Sequence, residues 1–188
     1  MATKDTAKKA TATTKRASSR SSAKPGATDA IKLLTADHRE VKALFQEYQK
    51  LVDHDAEDEE KQPIAEQICA MLTVHAQIEE EIFYPAAKEA IKEPDLIDEA
   101  TVEHASAKDL IAQLRESDPT DELYDAKVKV LGEYIDHHVK EEESELFPQA
   151  RRAKMDLAAL GEQLDQRKTE LLAELGVTAG AEEEEETE

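Results

Sequence analysis

The sequence predicts an all-α chain: an antiparallel, up-down four-helix bundle with an additional C-terminal helix and a disordered tail at each end. Three observations carry this. Only 5 Gly and 6 Pro in 188 residues leave too few turn signals for a sandwich or a barrel. Apolar residues recur at helical spacing in five successive stretches. The first four stretches are joined by short polar breaks, and short loops make consecutive helices antiparallel neighbours. Hydrophobic residues are 39% of the chain, enough for a bundle-sized core even with 4% aromatics and no Trp.

Residues 1–28 hold seven basic side chains (Lys4, Lys8, Lys9, Lys15, Arg16, Arg20, Lys24) against one acid, Asp5, and end at Pro25-Gly26. With no large apolar residue after Met1, this arm has nothing to bury and is expected to be disordered. It lacks the apolar face of an organelle transit peptide. Its spaced cations suit a plain solvated tail, docking on the chain's own acidic surface, or contact with nucleic-acid phosphates.

The bundle is expected over 29–152. From Asp29, the residues Leu34, His38, Val41, Phe45, Tyr48 and Val52 draw one stripe down a first helix. A polar break from His54 to Gln62 ends at Pro63, suited to the first turn of a second helix, whose stripe is Ile64, Ile68, Met71, His75, Glu79, Ile82 and Ala86. Pro94 opens a third, with Ile97, Ala100, His104, Ala107, Ile111 and Leu114 on one face. Ser117-Asp118-Pro119 reads as the cap and start of a fourth, with Tyr124, Val128, Leu131, Ile135, His138, Glu142 and Leu146 in its stripe. A fifth stripe over 153–177, Leu157, Leu160, Leu164, Leu171 and Leu175, ends at Gly176, a natural C-cap. Two places suit this helix: against the bundle, or in a homodimer contact. Residues 178–188 read as a solvated acidic tail.

The net charge of −20, from 44 acids and 24 bases, is read as solvated helix faces and not as a substrate preference. The single cysteine, Cys69, excludes an intrachain disulfide framework and a thiolate metal cage, and reads as a small core residue. No apolar run reaches the length of a membrane span and no secretory signal opens the chain, so a cytoplasmic location is expected. Glycine-rich phosphate loops, the zinc-protease His-Glu-x-x-His and the Gly-x-Ser-x-Gly nucleophile elbow are absent. No histidine has an acid three residues before it, which disfavours the Glu-x-x-His sites of ferritin-like di-iron bundles.

The chemistry lies in a duplication. His75-Ala-Gln-Ile-Glu79-Glu-Glu-Ile-Phe-Tyr-Pro85 and His138-Val-Lys-Glu-Glu142-Glu-Ser-Glu-Leu-Phe-Pro148 both place Glu four residues, and Pro ten residues, after His. The first and third helices match more weakly, through His38/Val41/Leu44 and His104/Ala107/Leu110. Glu is so common here that His-x-x-x-Glu alone is weak, and a lone His on an apolar stripe is more often a core histidine than a ligand. The conjunction is what counts. Each of the four helices puts one histidine in the row facing the bundle axis, and the second and fourth add a glutamate one turn on. Four imidazoles and two carboxylates then converge in a core whose stripes hold no Lys or Arg. Burying two ionised carboxylates uncompensated costs several kcal/mol each, and a pair of bound cations removes that cost. His38, His75, Glu79, His104, His138 and Glu142 therefore form a candidate dinuclear non-haem metal site with open positions.

These residues resemble the hemerythrins, and among them the hemerythrin-like HHE cation-binding domains, over about residues 30–150. The resemblance rests on His38, the His75/Glu79 pair with Phe-Tyr-Pro following, His104, and the His138/Glu142 pair with Leu-Phe-Pro following. It implies two non-haem iron ions, with His38 and His75 in one half, His104 and His138 in the other, and Glu79 and Glu142 as bridges. It also implies a small ligand such as oxygen, nitric oxide or peroxide. Two positions depart from the oxygen carriers. Lys108 stands where they have a fifth histidine, and Glu141, Glu142 and Glu143 stand around the position of their aspartate, of which the internal repeat selects Glu142.

Three functions follow as expectations: a di-iron protein that binds or senses a small ligand or iron; a redox enzyme acting on peroxide or on iron centres through the same site; or a structural bundle whose basic arm contacts nucleic acid. His54 and His137 fall off the axial rows and are expected not to be ligands. Glu80, Glu81, Glu141 and Glu143 read as solvated faces or as partners of the ligands, and Tyr48 and Tyr134 as packing residues near the core.

Overall fold

The computed structural model describes residues 29–176; the basic arm and the acidic tail lie outside them. The elements are α1 (Ala30–Asp53), α2 (Asp58–Ile78), α3 (Tyr84–Ala90), α4 (Asp95–Glu116), α5 (Tyr124–Glu141), α6 (Phe147–Arg152) and α7 (Leu157–Glu174). A π-helical turn, Glu79–Phe83, carries α2 into α3, and a second, Glu142–Leu146, carries α5 into α6. Four rods result, α1, α2–α3, α4 and α5–α6, and they form the four-helix bundle that the stripes predict. α7 packs against α1 and α2 of its own chain through Leu164 and Leu171, both buried.

Local chemistry explains the ends. Asp29 caps α1 by accepting from the Lys32 N–H at 3.0 Å, and Asp156 caps α7 through the Ala159 N–H at 3.2 Å. Gly176 takes the left-handed conformation after α7, with φ of 70°. Two starts differ from expectation. α2 begins at Asp58 and holds Pro63 in its interior, because Asp58, Glu59 and Glu60 place negative charge on the helix N-terminus. α5 begins at Tyr124, since the Asp118 carboxylate folds back onto the Thr120 N–H (3.0 Å) and hydroxyl (2.7 Å) and makes a turn of the segment expected to start the helix.

The two π turns have a common cause. Pro85 and Pro148 lack an N–H, and in an α-helix each ring would meet the carbonyl four residues back. The helix widens instead: the Tyr84 N–H reaches the Glu79 carbonyl and the Phe147 N–H reaches that of Glu142, five residues back. The extra residue shifts the stripe. Phe83 and Ala87 fill the fully buried positions, while the expected Ile82 and Ala86 are half-buried.

The apolar core is divided. One cluster gathers Leu34, Ile78, Phe83, Ile97, Phe147 and the α7 leucines, and the other Val41, Leu44, Ile68, Leu72, Ile111 and Leu131. Each fully buried large side chain contributes about 1.5–3 kcal/mol, so two apolar slabs hold whatever lies between them. Between them lies a buried polar layer: Asp37, His38, His75, Glu79, His104, His138 and Glu142.

Candidate metal centre

All six predicted side chains enter this layer, and their donor atoms meet. The His38 and His75 Nε2 atoms lie 3.1 Å apart, as do those of His104 and His138. Glu79 Oε2 is 3.2 Å from His75 Nε2 and 3.4 Å from His104 Nε2, while Glu142 Oε2 is 3.3 Å from His38 Nε2 and 3.5 Å from His138 Nε2. Each glutamate thus touches one histidine from each half of the bundle. The donors sort into two groups, His38, His75, Glu79 and Glu142, and Glu79, His104 and His138.

The outward nitrogen of every ring is held by a carboxylate. Nδ1 of His38 contacts Glu143 at 3.0 Å, that of His75 contacts Asp37 at 3.4 Å, that of His104 contacts Glu80 at 3.0 Å and that of His138 contacts Glu103 at 2.8 Å. The pattern repeats with the duplication. The acid before the first histidine of a half (Asp37, Glu103) holds the second histidine of the same half, and the glutamate after the bridging glutamate (Glu80, Glu143) holds the first histidine of the other half. A carboxylate on Nδ1 selects the Nδ1–H tautomer and turns a bare Nε2 lone pair inward. Sequence reasoning had Glu80 and Glu143 as possible partners but missed Asp37 and Glu103, whose signal was their equivalent place before His38 and His104.

Four inward lone pairs cannot face one another in pairs at 3.1 Å without something positive between them. In the metal-free protein a proton serves. Burial opposes charge on His75, but Glu79 and Asp37 overcome it and push its pKa up to about 10. Burial likewise opposes charge on His138, and Glu142, Glu79 and Glu103 raise it. For His104, burial together with the neighbouring His138 outweighs the carboxylates and lowers the pKa. Burial of Glu142 is overcome by His38, His138 and His75, which hold its carboxyl down at about 2. The carboxylates thus draw positive charge to the paired nitrogens, and a cation can take the place of a proton there.

The carboxylates carry a second sign of fit. Among the described residues, the buried side-chain oxygens without a hydrogen-bond partner are Glu79 Oε1 and Glu142 Oε2; the contacts of the latter with His38 and His138 lack hydrogen-bond geometry. Glu79 is fully buried and Glu142 2% exposed. An orphaned buried acceptor is costly, and two of them on carboxylates that touch the four histidines suit a hard or borderline cation better than a purely structural polar layer.

The site has a closed side and an open one. On the closed side Tyr84 and Phe147, equivalent residues ahead of the two prolines, lie against His104 and His38 with ring centroids 5.4 and 5.8 Å apart. The Tyr84 hydroxyl donates to Glu142 Oε1 at 2.9 Å. This tyrosine was not expected at the site; its signal was its place five residues after the glutamate of the His/Glu pair, once the π turn is allowed for. On the other side a cavity of about 260 Å³ reaches all four histidines, walled by Val41, Leu72, Ala107, Ile111 and Ile135.

The remaining candidates sort cleanly. Lys108 pairs with Glu80 at 2.5–2.6 Å. Glu81 binds Arg167 of α7 at 2.8 Å, and Lys168 of α7 binds Asp37 at 2.6 Å. His54 is exposed and contacts the Lys50 carbonyl at 2.6 Å, and His137 is exposed next to Glu141. Tyr48 donates to Asp125 and is buried away from the histidines, Tyr134 is 51% exposed, and burial pushes the Cys69 thiol up to about 11.

Comparison with known proteins agrees with this geometry. Residues 29–150 match the hemerythrin HHE cation-binding domain family. A solved structure, a hemerythrin HHE cation-binding domain-containing protein from Mycobacterium kansasii, superposes with a TM-score of 0.66 over 78% of this chain and 89% of that one at 24% identity, a likeness in fold. A protein named DNA nickase from Nostoc sp. is 32% identical over 119 residues, 63% of this chain; the chain spans about a third of that relative's length. No helix among the described residues is long and apolar enough to cross a membrane. With its bundle, its duplicated His/Glu layer and the family match over most of the bundle, the chain belongs to the hemerythrin HHE cation-binding domain family.

Proposed function

We propose that the buried layer holds two non-haem iron ions and that the protein binds a small ligand, oxygen, nitric oxide or peroxide, at the open face of that centre. The observation that carries this is the pairing of inward lone pairs. His38 with His75, and His104 with His138, are each short of one positive charge, and Glu79 and Glu142 span both pairs. His38, His75, Glu79 and Glu142 would hold one ion, and His104, His138 and the same two carboxylates the other. Iron so held supplies reversible one-electron chemistry and open coordination positions for a small ligand.

The chain's own residues set what can reach it. The cavity abuts the four imidazoles and neither bridging carboxylate, so a ligand approaches on the histidine side. Its lining mixes apolar Val41, Leu72, Ile111 and Ile135 with charged Asp37, Glu40, Lys108 and Lys168, and its volume admits a diatomic or peroxide. Tyr84 closes the opposite side, with its proton committed to Glu142. The outer carboxylates keep each Nε2 available and absorb the charge that a cation imposes on the rings.

Metal analysis with absorption spectroscopy of anaerobically loaded protein tests the reading. Two irons per chain, and an oxygen-dependent charge-transfer band lost in Glu79→Ala and Glu142→Ala, are expected. Protein that retains no iron refutes it. Sustained peroxide consumption by the same preparation shifts the assignment to a redox enzyme acting through this site.

The relative named DNA nickase supports one second reading, nucleic-acid contact through residues 1–28. The rest of the chain carries 17 basic and 43 acidic residues and repels phosphate, so such contact falls to the arm. Salt-dependent DNA binding that disappears on deleting residues 1–28 is the expected result; no binding by the full chain removes this reading.

A further inference from the structure

The two halves of the centre repeat each other except on their outer faces. In the first half, Asp37 uses Oδ2 on His75 and gives Oδ1 to the Lys168 ammonium of α7. Val74 and Ile78, one residue before and three after His75, are buried in the cluster that includes the α7 leucines. In the second half, Glu103 uses Oε2 on His138, but no ammonium meets its Oε1. That oxygen faces His137 Nε2 at 3.6 Å, and Glu141 Oε1 lies 3.3 Å from the same nitrogen. His137 and Glu141 occupy the places equivalent to Val74 and Ile78. Where one half has a lysine and a covering helix, the other has three metal-ligating side chains whose donor atoms lie within 4.8 Å of one another.

Two of the three side chains, Glu103 and Glu141, also border a crevice that reaches the buried layer. The crevice, about 10 Å³ or the room of one water-sized sphere, has exposed Glu99, part-exposed Glu103 and Glu141, and buried His138 and Glu142 along one side, and Leu96, Ala100 and Leu146 in its apolar wall. At its inner end Glu142 carries one of the two orphaned oxygens. We propose that Glu103, His137 and Glu141 form an outer divalent-cation site, and that the buried centre fills through it along the acidic crevice between α4 and α5. The loading role rests on the buried layer being a metal centre; the outer site does not. Glu103 links the two, since one of its oxygens faces the outer cation while the other orients the His138 ring that receives the incoming one. An acid-lined cleft also raises the local cation concentration and speeds entry.

Zinc titration of the full chain, followed by long-range ¹H–¹⁵N spectra of the histidine rings, tests this because each ring reports separately. The His137 resonances are expected to move in the wild type and to stay fixed in Glu141→Gln. The His38, His75, His104 and His138 rings are expected to move in both, with filling in Glu141→Gln and His137→Gln slower by on the order of tenfold, an unchanged final occupancy of the buried centre and one outer cation fewer. Glu145→Gln, which removes the same charge one turn away, is expected to fill at the wild-type rate. A silent His137 beside four responding buried rings overturns the outer site. Responding His137 with equal filling rates in all variants overturns the loading role. Responding His137 with four silent buried rings upholds the outer site and refutes the metal centre instead.

Discussion

Replacing Glu79 with Gln separates a metal centre from a structural polar layer, because only a metal centre makes the cost of the substitution depend on metal. Glu79 is fully buried, and its Oε1 has no partner, an omission that costs about 1–3 kcal/mol. The substitution removes the carboxylate that does most to hold a charge on His75. His75 keeps Asp37, His104 keeps Glu80, and the Tyr84 hydroxyl keeps Glu142 as acceptor. Metal-free Glu79→Gln should therefore be less stable than metal-free wild type by about 3–5 kcal/mol. At 2–4 °C per kcal/mol for a chain of this size, Tm falls by about 6–20 °C. With metal the gap widens. A cation at a hundred times its dissociation constant stabilises the wild type by about 2.7 kcal/mol, or about 5–11 °C per ion, and the variant forfeits most of that gain. Thermal unfolding with a chelator and with saturating metal gives all four values. A variant that is destabilised to the same extent in both conditions refutes the reasoning, since Glu79 would then be an ordinary structural acceptor.

Three further outcomes are expected. Because Glu79 and Asp37 raise the His75 pKa to about 10, loading at pH 7 should release at least the His75 proton, measured by calorimetry in buffers of different ionisation enthalpy, and apparent affinity should fall as pH drops. In the metal-free protein the His75 contribution is complete below pH 6.5 and lost as pH rises through about 10, and that of Glu142 is complete above pH 4.5 and lost as pH falls through about 2; the lowered His104 pKa costs stability as pH falls below 6.5, so chelated protein should be most stable near pH 6.5 in denaturant titrations. Lys168→Ala frees Asp37 Oδ1, loosens the carboxylate that orients His75 and should weaken metal binding by about 10–100-fold without unfolding α7, whose buried Leu164 and Leu171 remain; unchanged affinity refutes the link. Tyr84→Phe removes the 2.9 Å donor from a buried carboxylate and should lower metal-free stability by about 1.5–3 kcal/mol in urea unfolding.

The bundle and the six inward residues were legible because both are periodic. A stripe at helical spacing states which face is buried, and a histidine within a stripe must face what the leucines face. The π turns were harder to read, because they arise from the conflict between Pro85 or Pro148 and the carbonyl four residues earlier, while the stripe method assumes an unbroken 3.6-residue period. That one inserted residue moved Phe83 and Ala87 into the core in place of Ile82 and Ala86, and brought Tyr84 to Glu142. The outer carboxylates were obscured by abundance: Asp37, Glu80, Glu103 and Glu143 look like four among 44 acids until the repeat is applied to them as it was to Glu79 and Glu142. The place of α7 is a long-range matter, set by Lys168 meeting Asp37 and Arg167 meeting Glu81, which no local pattern in the C-terminal stripe announces.

A duplicated template that had stayed symmetric would give two equal metal positions, and this one has not. Against His104 stands a tyrosine, against His38 a phenylalanine, and only the tyrosine donates to a bridging carboxylate. The first half is sealed by α7 and its lysine, while the second opens on His137 and Glu141. The His38/His75 pair also lies closer to its two carboxylate oxygens, 3.3 and 3.2 Å, than the His104/His138 pair, at 3.4 and 3.5 Å. Asymmetry of this kind favours stepwise filling. An ion at the sealed position neutralises both glutamates from one side, and the second then enters next to Tyr84 at lower net charge and weaker attraction. On the proposed loading route the open half is both the entrance and the weaker position, so metal supply would set its occupancy.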